Sequence, residues 1–115
     1  MLVGNMKKIV VCAAMLLAAG CAKAPEDIAA APVPTDSYMQ MECPQLSTLR
    51  MQKQAQLTSL EKEQLAAARQ DAAAMAVIHI PYASWAGKDR EPEFARLKGE
   101  VKAIDSAYQS KSCTG

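Results

Sequence analysis

Aromatic side chains, net charge and histidine are scarce in this chain. Of its 115 residues, one is Phe, one is Trp, three are Tyr and one is His. So few large rings limit the thickness of a hydrophobic core, and a chain of this length holds one small domain at most. The formal net charge of +1 offers no basic patch to neutralise phosphates, which argues against nucleic acid as a partner.

Motifs for catalysis and for cofactor binding are also missing. The sequence has no glycine-rich phosphate loop, no dinucleotide-binding motif and no serine nucleophile elbow. His79 has no second His or Cys at a metal-ligand spacing. The acids Asp89, Glu91 and Glu93 fit a helix start, where carboxylates favour the helix dipole. We therefore expect a protein that is not an enzyme, with no catalytic residue, metal or cofactor.

The first twenty residues have the composition of an export signal. Lys7 and Lys8 form a basic region, residues 9–17 are apolar, and residues 18–20 are small. The apolar run is shorter than the roughly 20 residues that a transmembrane helix needs. We expect residues 1–20 to be a cleaved signal peptide.

Cys21 follows these small residues, and residues 17–21 (LAAGC) resemble the lipobox of bacterial lipoproteins. The resemblance implies that the sulfur of Cys21 carries diacylglycerol, that the signal is cut before Cys21, and that the new amino group is acylated. Such chains hold a protein firmly on a membrane, because each buried CH₂ contributes about 0.8 kcal/mol. By the same resemblance, Ala22 in place of Asp implies a lipid-anchored protein of the outer membrane, on its periplasmic face.

The next segment is rich in proline and alanine. Pro25, Pro32 and Pro34 occur in it without any hydrophobic period. We therefore expect residues 21–42 to be a lipidated N-terminus followed by a flexible linker.

A first helix is predicted to begin with Cys43 as its N-cap and Pro44 in its first turn. Good helix formers then run from Gln45 to about Met75. The leucines at positions 46, 49, 57 and 60 repeat after eleven residues, which favours a nearly straight apolar stripe.

A second helix is predicted from Pro92 to Ser110, capped by Asp89. Its apolar residues recur at alternating steps of three and four and form one face: Phe94, Leu97, Val101, Ile104 and Tyr108. Gly99 either allows close approach of a small-residue partner such as Ala66–Ala68 or is a neutral occurrence. The expected fold is all-α: a two-helix antiparallel, coiled-coil-like hairpin over 43–113, after a cleaved signal peptide and a flexible tether.

Two of the four cysteines remain for pairing if Cys12 leaves with the signal peptide and Cys21 is lipidated. Cys43 and Cys113 flank the predicted hairpin, and the periplasm is oxidising. We expect a structural disulfide between them, with a redox-active or intermolecular pair as the alternative.

Residues 72–87 carry no formal charge. This segment is either the packed tip of the hairpin or a surface that touches a membrane or a protein partner. For the second interpretation the candidate interaction residues are Ile80, Tyr82 and Trp85.

Residues 88–100 (KDREPEFARLKGE), the Cys-Pro helix start and the alanine-rich stretch around Asp71 resemble a scattered set of short helical lipoproteins of proteobacteria. The resemblance spans 43–113 and implies a helical fold and a membrane location, but no activity.

Two functions fit these observations. The first is a membrane-anchored, non-catalytic interaction or accessory subunit of a cell-envelope assembly, in which residues 72–87 or the Phe94–Tyr108 face meet a protein partner. The alternative is a self-associating structural outer-membrane lipoprotein, whose apolar seams pack into a homo-oligomer.

Overall fold

The computed structural model describes residues 21–113, and the predicted signal peptide lies outside them. The described residues contain helices and no strand, which confirms the all-helical prediction. After a 3₁₀ turn at Pro25–Asp27, the four helices are α1 (Asp36–Met39), α2 (Cys43–Val77), α3 (Tyr82–Trp85) and α4 (Glu91–Ser110).

Helix α2 begins with a capping box, and its N-cap lies one residue before the predicted one. Glu42, and not Cys43, is the N-cap, because its side chain accepts from the N3 backbone N–H. Gln45 in turn accepts from the Glu42 N–H at 3.1 Å. The helix runs two residues past the expected Met75 and ends where His79 takes a positive φ of 59°.

Helix α4 begins at Glu91 with Arg90 as its N-cap, so Asp89 lies one position before the cap. Asp89 still serves the helix start, since its Oδ1 accepts from the Glu91 N–H at 3.1 Å. The Pro92 ring adds no unsatisfied donor in this first turn.

Successive residues along α2 pair with residues that come progressively earlier in α4 or just outside its ends. Helix α2 is about 52 Å long and α4 about 30 Å, so the last turns of α2 lie beyond the start of α4. Helix α3 packs against α2, so the structure has more parts than a two-helix hairpin. The paired residues, in order along α2, are Cys43 with Cys113, Arg50 with Asp105, Lys53 with Glu100, and Gln64 with Arg90.

The inward face of α2 follows steps of three and four residues, and it includes the four leucines of the predicted stripe. Three polar residues, Lys53, Gln64 and Asp71, also lie on this face, so the inward positions are not marked by apolar residues alone. Its buried or half-buried members are Leu46, Leu49, Lys53, Leu57, Leu60, Gln64, Ala67 and Asp71.

The segment predicted as a flexible linker is packed against the helices. Ile28 is only 2% exposed. The Ala31 N–H donates to the Ala95 carbonyl at 2.8 Å, and Lys98 Nζ donates to the Ile28 carbonyl at 3.0 Å. These bonds fix a segment that has no hydrophobic period of its own.

Gly99 permits this packing, but not with the predicted partner. A Cβ at Gly99 would lie 2.1 Å from the Ala31 carbonyl oxygen and 2.9 Å from Val33 Cγ2. The close approach expected from Ala66–Ala68 is therefore made by the N-terminal segment.

The hydrophobic core is thin, as the scarcity of aromatic residues indicates. Each large buried side chain contributes about 1.5–3 kcal/mol, and a disulfide that closes a loop of 70 residues adds about 4 kcal/mol on the chain-entropy model. The disulfide is thus a large share of the roughly 5–15 kcal/mol typical of a domain. The large buried hydrophobic residues are Ile28, Leu46, Phe94, Val101 and Ile104.

Replacing Gly99 by Ala tests the docking of the N-terminal segment. In an exposed helix Ala would stabilise by about 1 kcal/mol, but here its Cβ would collide with Ala31. We expect Gly99→Ala to lower the urea midpoint and to speed exchange of the Ala31 amide hydrogen. In a chain that begins at Thr35 the same change should raise the midpoint. A raised midpoint in the full chain would contradict the docking.

Candidate anchoring and interaction site

Asp71 is a carboxylate with no exposed surface, near the C-terminal end of α2. Its Oδ1 accepts from the backbone N–H groups of Ala83 at 2.7 Å and Ser84 at 3.1 Å. Its Oδ2 accepts from the Ala22 N–H at 2.8 Å and from the Ser84 hydroxyl. One side chain therefore joins α2, α3 and the residue that follows Cys21.

These hydrogen bonds keep Asp71 ionised. Burial raises the pKa of its carboxyl, whereas the bonds from Ser84, Ala22 and Ala83 lower it. The hydrogen bonds prevail, so the pKa lies below its ordinary value. The charge is tolerated in the interior because three backbone N–H groups and one hydroxyl donate to the carboxylate.

Gln64, two turns earlier on α2, has a similar role and is also fully buried. Its Nε2 donates to the Lys23 carbonyl and to Asp89 Oδ1, both at 2.9 Å. Its Oε1 accepts from the Arg90 N–H at 2.7 Å. Gln64 thereby fixes the start of α4 and a second point of the N-terminal segment.

Cys21, the predicted lipidation residue, lies at the surface beside this network. It is half-buried, and its neighbour Ala22 is 8% exposed and packs with Ala67 and Ala83. The chain thus becomes fixed one residue after Cys21, and the expected slack of a flexible tether is absent.

Four large apolar side chains are exposed where α2 ends and α3 follows, and we name them the apolar tip. Their exposed fractions are 79% for Val77, 54% for Ile78, 53% for Tyr82 and 72% for Trp85. The only charged group described over an apolar-tip ring is Lys88, whose Nζ lies 6.0 Å from the ring centre of Tyr82.

The predicted interaction residues occupy this end of the protein, but not equally. Tyr82 and Trp85 are exposed, whereas Ile80 is half-buried. Val77 and Ile78 were not among the predicted residues, although the run of β-branched residues before Pro81 signals a helix end that leaves side chains unpacked.

The other predicted sites have different surroundings. Cys43 and Cys113 are bonded to each other, in agreement with the disulfide prediction. The predicted Phe94–Tyr108 face is largely used inside the fold, where Ile104 is fully buried and packs with Leu46. Phe94, Val101 and Ile104 are therefore not free to bind a partner, whereas Leu97 of the same face is half-buried and lines an open groove.

An open groove of about 400 Å³ runs between α2 and α4. Charged and polar residues surround the half-buried Leu60 and Leu97, and none of its lining residues comes from the N-terminal segment. Glu100 lines this groove. The hydrogen bond from Lys53 lowers the pKa of its carboxyl, burial raises that pKa, and the hydrogen bond from Arg96 lowers it. The net result is a pKa below the ordinary value.

Over residues 21–113, no group of three or more His, Cys, Asp or Glu side chains is arranged to hold a metal ion. Nor does any helix in that range combine the length and the apolar character needed to cross a membrane.

Comparison with protein families, with curated proteins and with solved structures found no match to this chain.

Replacing Asp71 by Asn tests its structural role. The amide keeps the shape but turns one acceptor into a donor, which leaves the Ala22 N–H without a partner. We expect a loss of about 1–3 kcal/mol in the free energy of unfolding at neutral pH, measured by urea titration with circular dichroism. Asp27→Asn, an exposed control in the 3₁₀ turn, should leave the midpoint unchanged.

The pH dependence follows from the same carboxylate. Because the pKa of Asp71 is lower in the folded state, its stabilisation is complete above the unfolded pKa of about 3.9 and is lost as pH falls through the folded pKa. The wild type should therefore lose stability from about pH 4 downward, and Asp71→Asn should lose less. Glu100 has the same sign and contributes to both proteins. Equal slopes in the two proteins would contradict the assignment.

Proposed function

We propose that this protein is a lipid-anchored, non-catalytic interaction or accessory subunit of a cell-envelope assembly, held through Cys21 at the periplasmic face of the outer membrane. The observation that carries the proposal is the position of Cys21: it is half-buried, at the surface, and immediately before a residue fixed in the fold by Asp71. The lipobox resemblance supplies the chemistry of the attachment.

A short, rigid connection between the lipid anchor and the domain is suited to a protein that positions other proteins. A flexible linker would let the domain sample a wide volume, whereas a fixed Ala22 confines the domain to the surface that holds the acyl chains. This confinement raises the effective concentration of the domain for partners on the same membrane, because the domain samples a smaller volume.

The groove between α2 and α4 provides the surface for such a partner. Leu60 and Leu97 give it apolar contact area, and Lys53, Glu93 and Arg96 at its edges give charges of both signs that can set orientation. A helix or loop of a second protein fits this mixture of an apolar centre and a polar rim better than a small molecule would, because the groove is open.

Self-association is the second candidate, supported by one observation. Met51 on α2 is 72% exposed, and Ala55 and Thr58 extend the same shallow surface. Two copies could cover this surface on each other.

Replacing Cys21 by Ser tests the anchor. The hydroxyl cannot take the place of the thiol in lipid attachment, so we expect the variant to leave the membrane fraction after carbonate extraction and to lack the mass of the acyl chains. Cys12→Ser, which leaves residues 17–21 intact, is the matched control and should remain in the membrane. Retention of the Cys21→Ser variant would refute lipid anchoring.

Photo-crosslinking from the groove tests the interaction. A photoreactive residue at Gln56, which lines the groove, should form an adduct with another envelope protein in living cells. Gln54 lies two positions away, beside Met51 and outside the groove, and serves as the control. An adduct with the mass of two copies, formed from Gln54, would instead support self-association. Absence of any adduct from Gln56 would contradict the groove as the partner site.

A further inference from the structure

The apolar tip has no described partner, although its exposed surface is large. Val77 and Trp85 are 79% and 72% exposed, and residues 72–87 carry no formal charge. Side chains of this size exposed together at one end of a protein mark a contact surface. The position of Cys21, where the chain enters the fold immediately before the first fixed residue, indicates what the apolar tip contacts.

The buried Asp71 carboxylate places that entry point beside the apolar tip. Its Oδ2 accepts from both the Ala22 N–H and the Ser84 hydroxyl. Cys21 precedes Ala22 and Trp85 follows Ser84, so both are direct chain neighbours of residues held by one carboxylate. Acyl chains on Cys21 would therefore enter a bilayer next to the apolar tip.

We propose that the apolar tip inserts into the interfacial region of the same lipid leaflet that holds the acyl chains of Cys21, so that the domain is docked on the membrane in one orientation. This inference rests on the proposed lipidation of Cys21 and adds a second, non-covalent membrane contact to it. The bonds of Ala22 and Ser84 to Asp71 are the structural basis, since they keep the two contacts together.

The chemistry of the apolar tip fits a lipid interface. Trp and Tyr rings favour the level of the headgroups, where an apolar ring and a polar edge are both satisfied. Lys88, close to the Tyr82 ring, can place its ammonium group against lipid phosphates while its stem stays among apolar atoms. Val77 and Ile78 lie at the end of α2 and add aliphatic area without charge.

A lipid surface explains the exposure better than a protein partner does. With the chain fixed from Ala22 onward, a protein bound to the apolar tip would have to fit between that end of the domain and the bilayer. The bilayer already lies there if Cys21 is acylated, and it needs no shape complementarity.

Trp85 is the only tryptophan of the chain, so its fluorescence reports on the apolar tip alone. The full chain is expressed in bacterial cells, purified from their membranes, and its mass is measured to determine the acyl chains on Cys21. It is then reconstituted into vesicles of phosphatidylethanolamine and phosphatidylglycerol whose acyl chains carry bromine near the headgroup. We expect Trp85 emission to shift to shorter wavelength and to lose most of its intensity to bromine, with little quenching by aqueous acrylamide.

The double variant Trp85→Phe and Met51→Trp is the matched control. It moves the single tryptophan to a residue of equal exposure, 72% in both cases, which lies on α2 about 39 Å before Val77. Its emission should be quenched by acrylamide and not by brominated lipid.

The outcomes separate this inference from the proposed function. An acylated protein whose Trp85 is open to acrylamide overturns membrane docking and leaves the lipid anchor standing. Protection of Trp85 from both quenchers also overturns it, because the apolar tip is then covered by protein, such as a second copy. A mass without acyl chains overturns the anchor and with it the docking. Bromine quenching of Trp85 in an acylated protein supports both.

Discussion

The structure depends on one buried charge. Asp71 carries a carboxylate out of water, a costly step unless hydrogen bonds replace the lost hydration. Its donors come from two segments remote in sequence: Ala22 before the 3₁₀ turn, and the start of α3 at Ala83 and Ser84. Because a displaced segment would leave the charge unsatisfied, Asp71 favours one arrangement of the N-terminal segment, α2 and α3.

Polar contacts of this kind supplement a core with few large hydrophobic residues. The buried Gln64 side chain likewise binds the start of α4 through the Arg90 N–H. Lys53 pairs with Glu100 across the two helices at 2.8 Å. Polar groups inside a helix seam lower the gain from apolar burial but discriminate between registers, because a shifted pairing leaves them without partners. The Cys43–Cys113 bond then closes the opposite end of the same pair of helices.

The difference between local signals and contacts distant in sequence explains what the sequence could predict. Local signals were sufficient for the helical class and for both long helices to within two residues at each end. The Cys43–Cys113 pair followed from the positions of these cysteines at the two ends of the predicted hairpin. The burial of Gln64 and Asp71 was not predictable, because polar residues in an amphipathic pattern indicate a solvated face until their distant donors are known. The packing of Ile28 was missed for a related reason: an extended, proline-rich segment has no period, and its bonds are made with α4.

The two fixed ends of α2 set the geometry in which any partner must bind. Asp71 and Cys43 are 28 residues apart on α2, about 42 Å. The groove at Leu60 lies about 16 Å from Asp71 along the helix. If Cys21 and the apolar tip both hold the Asp71 end at the bilayer, this groove lies nearer to the membrane-bound end of α2 than the disulfide does. A partner that fills the groove would then have to approach along the membrane surface, which favours a protein that is itself held at that membrane over one that diffuses freely.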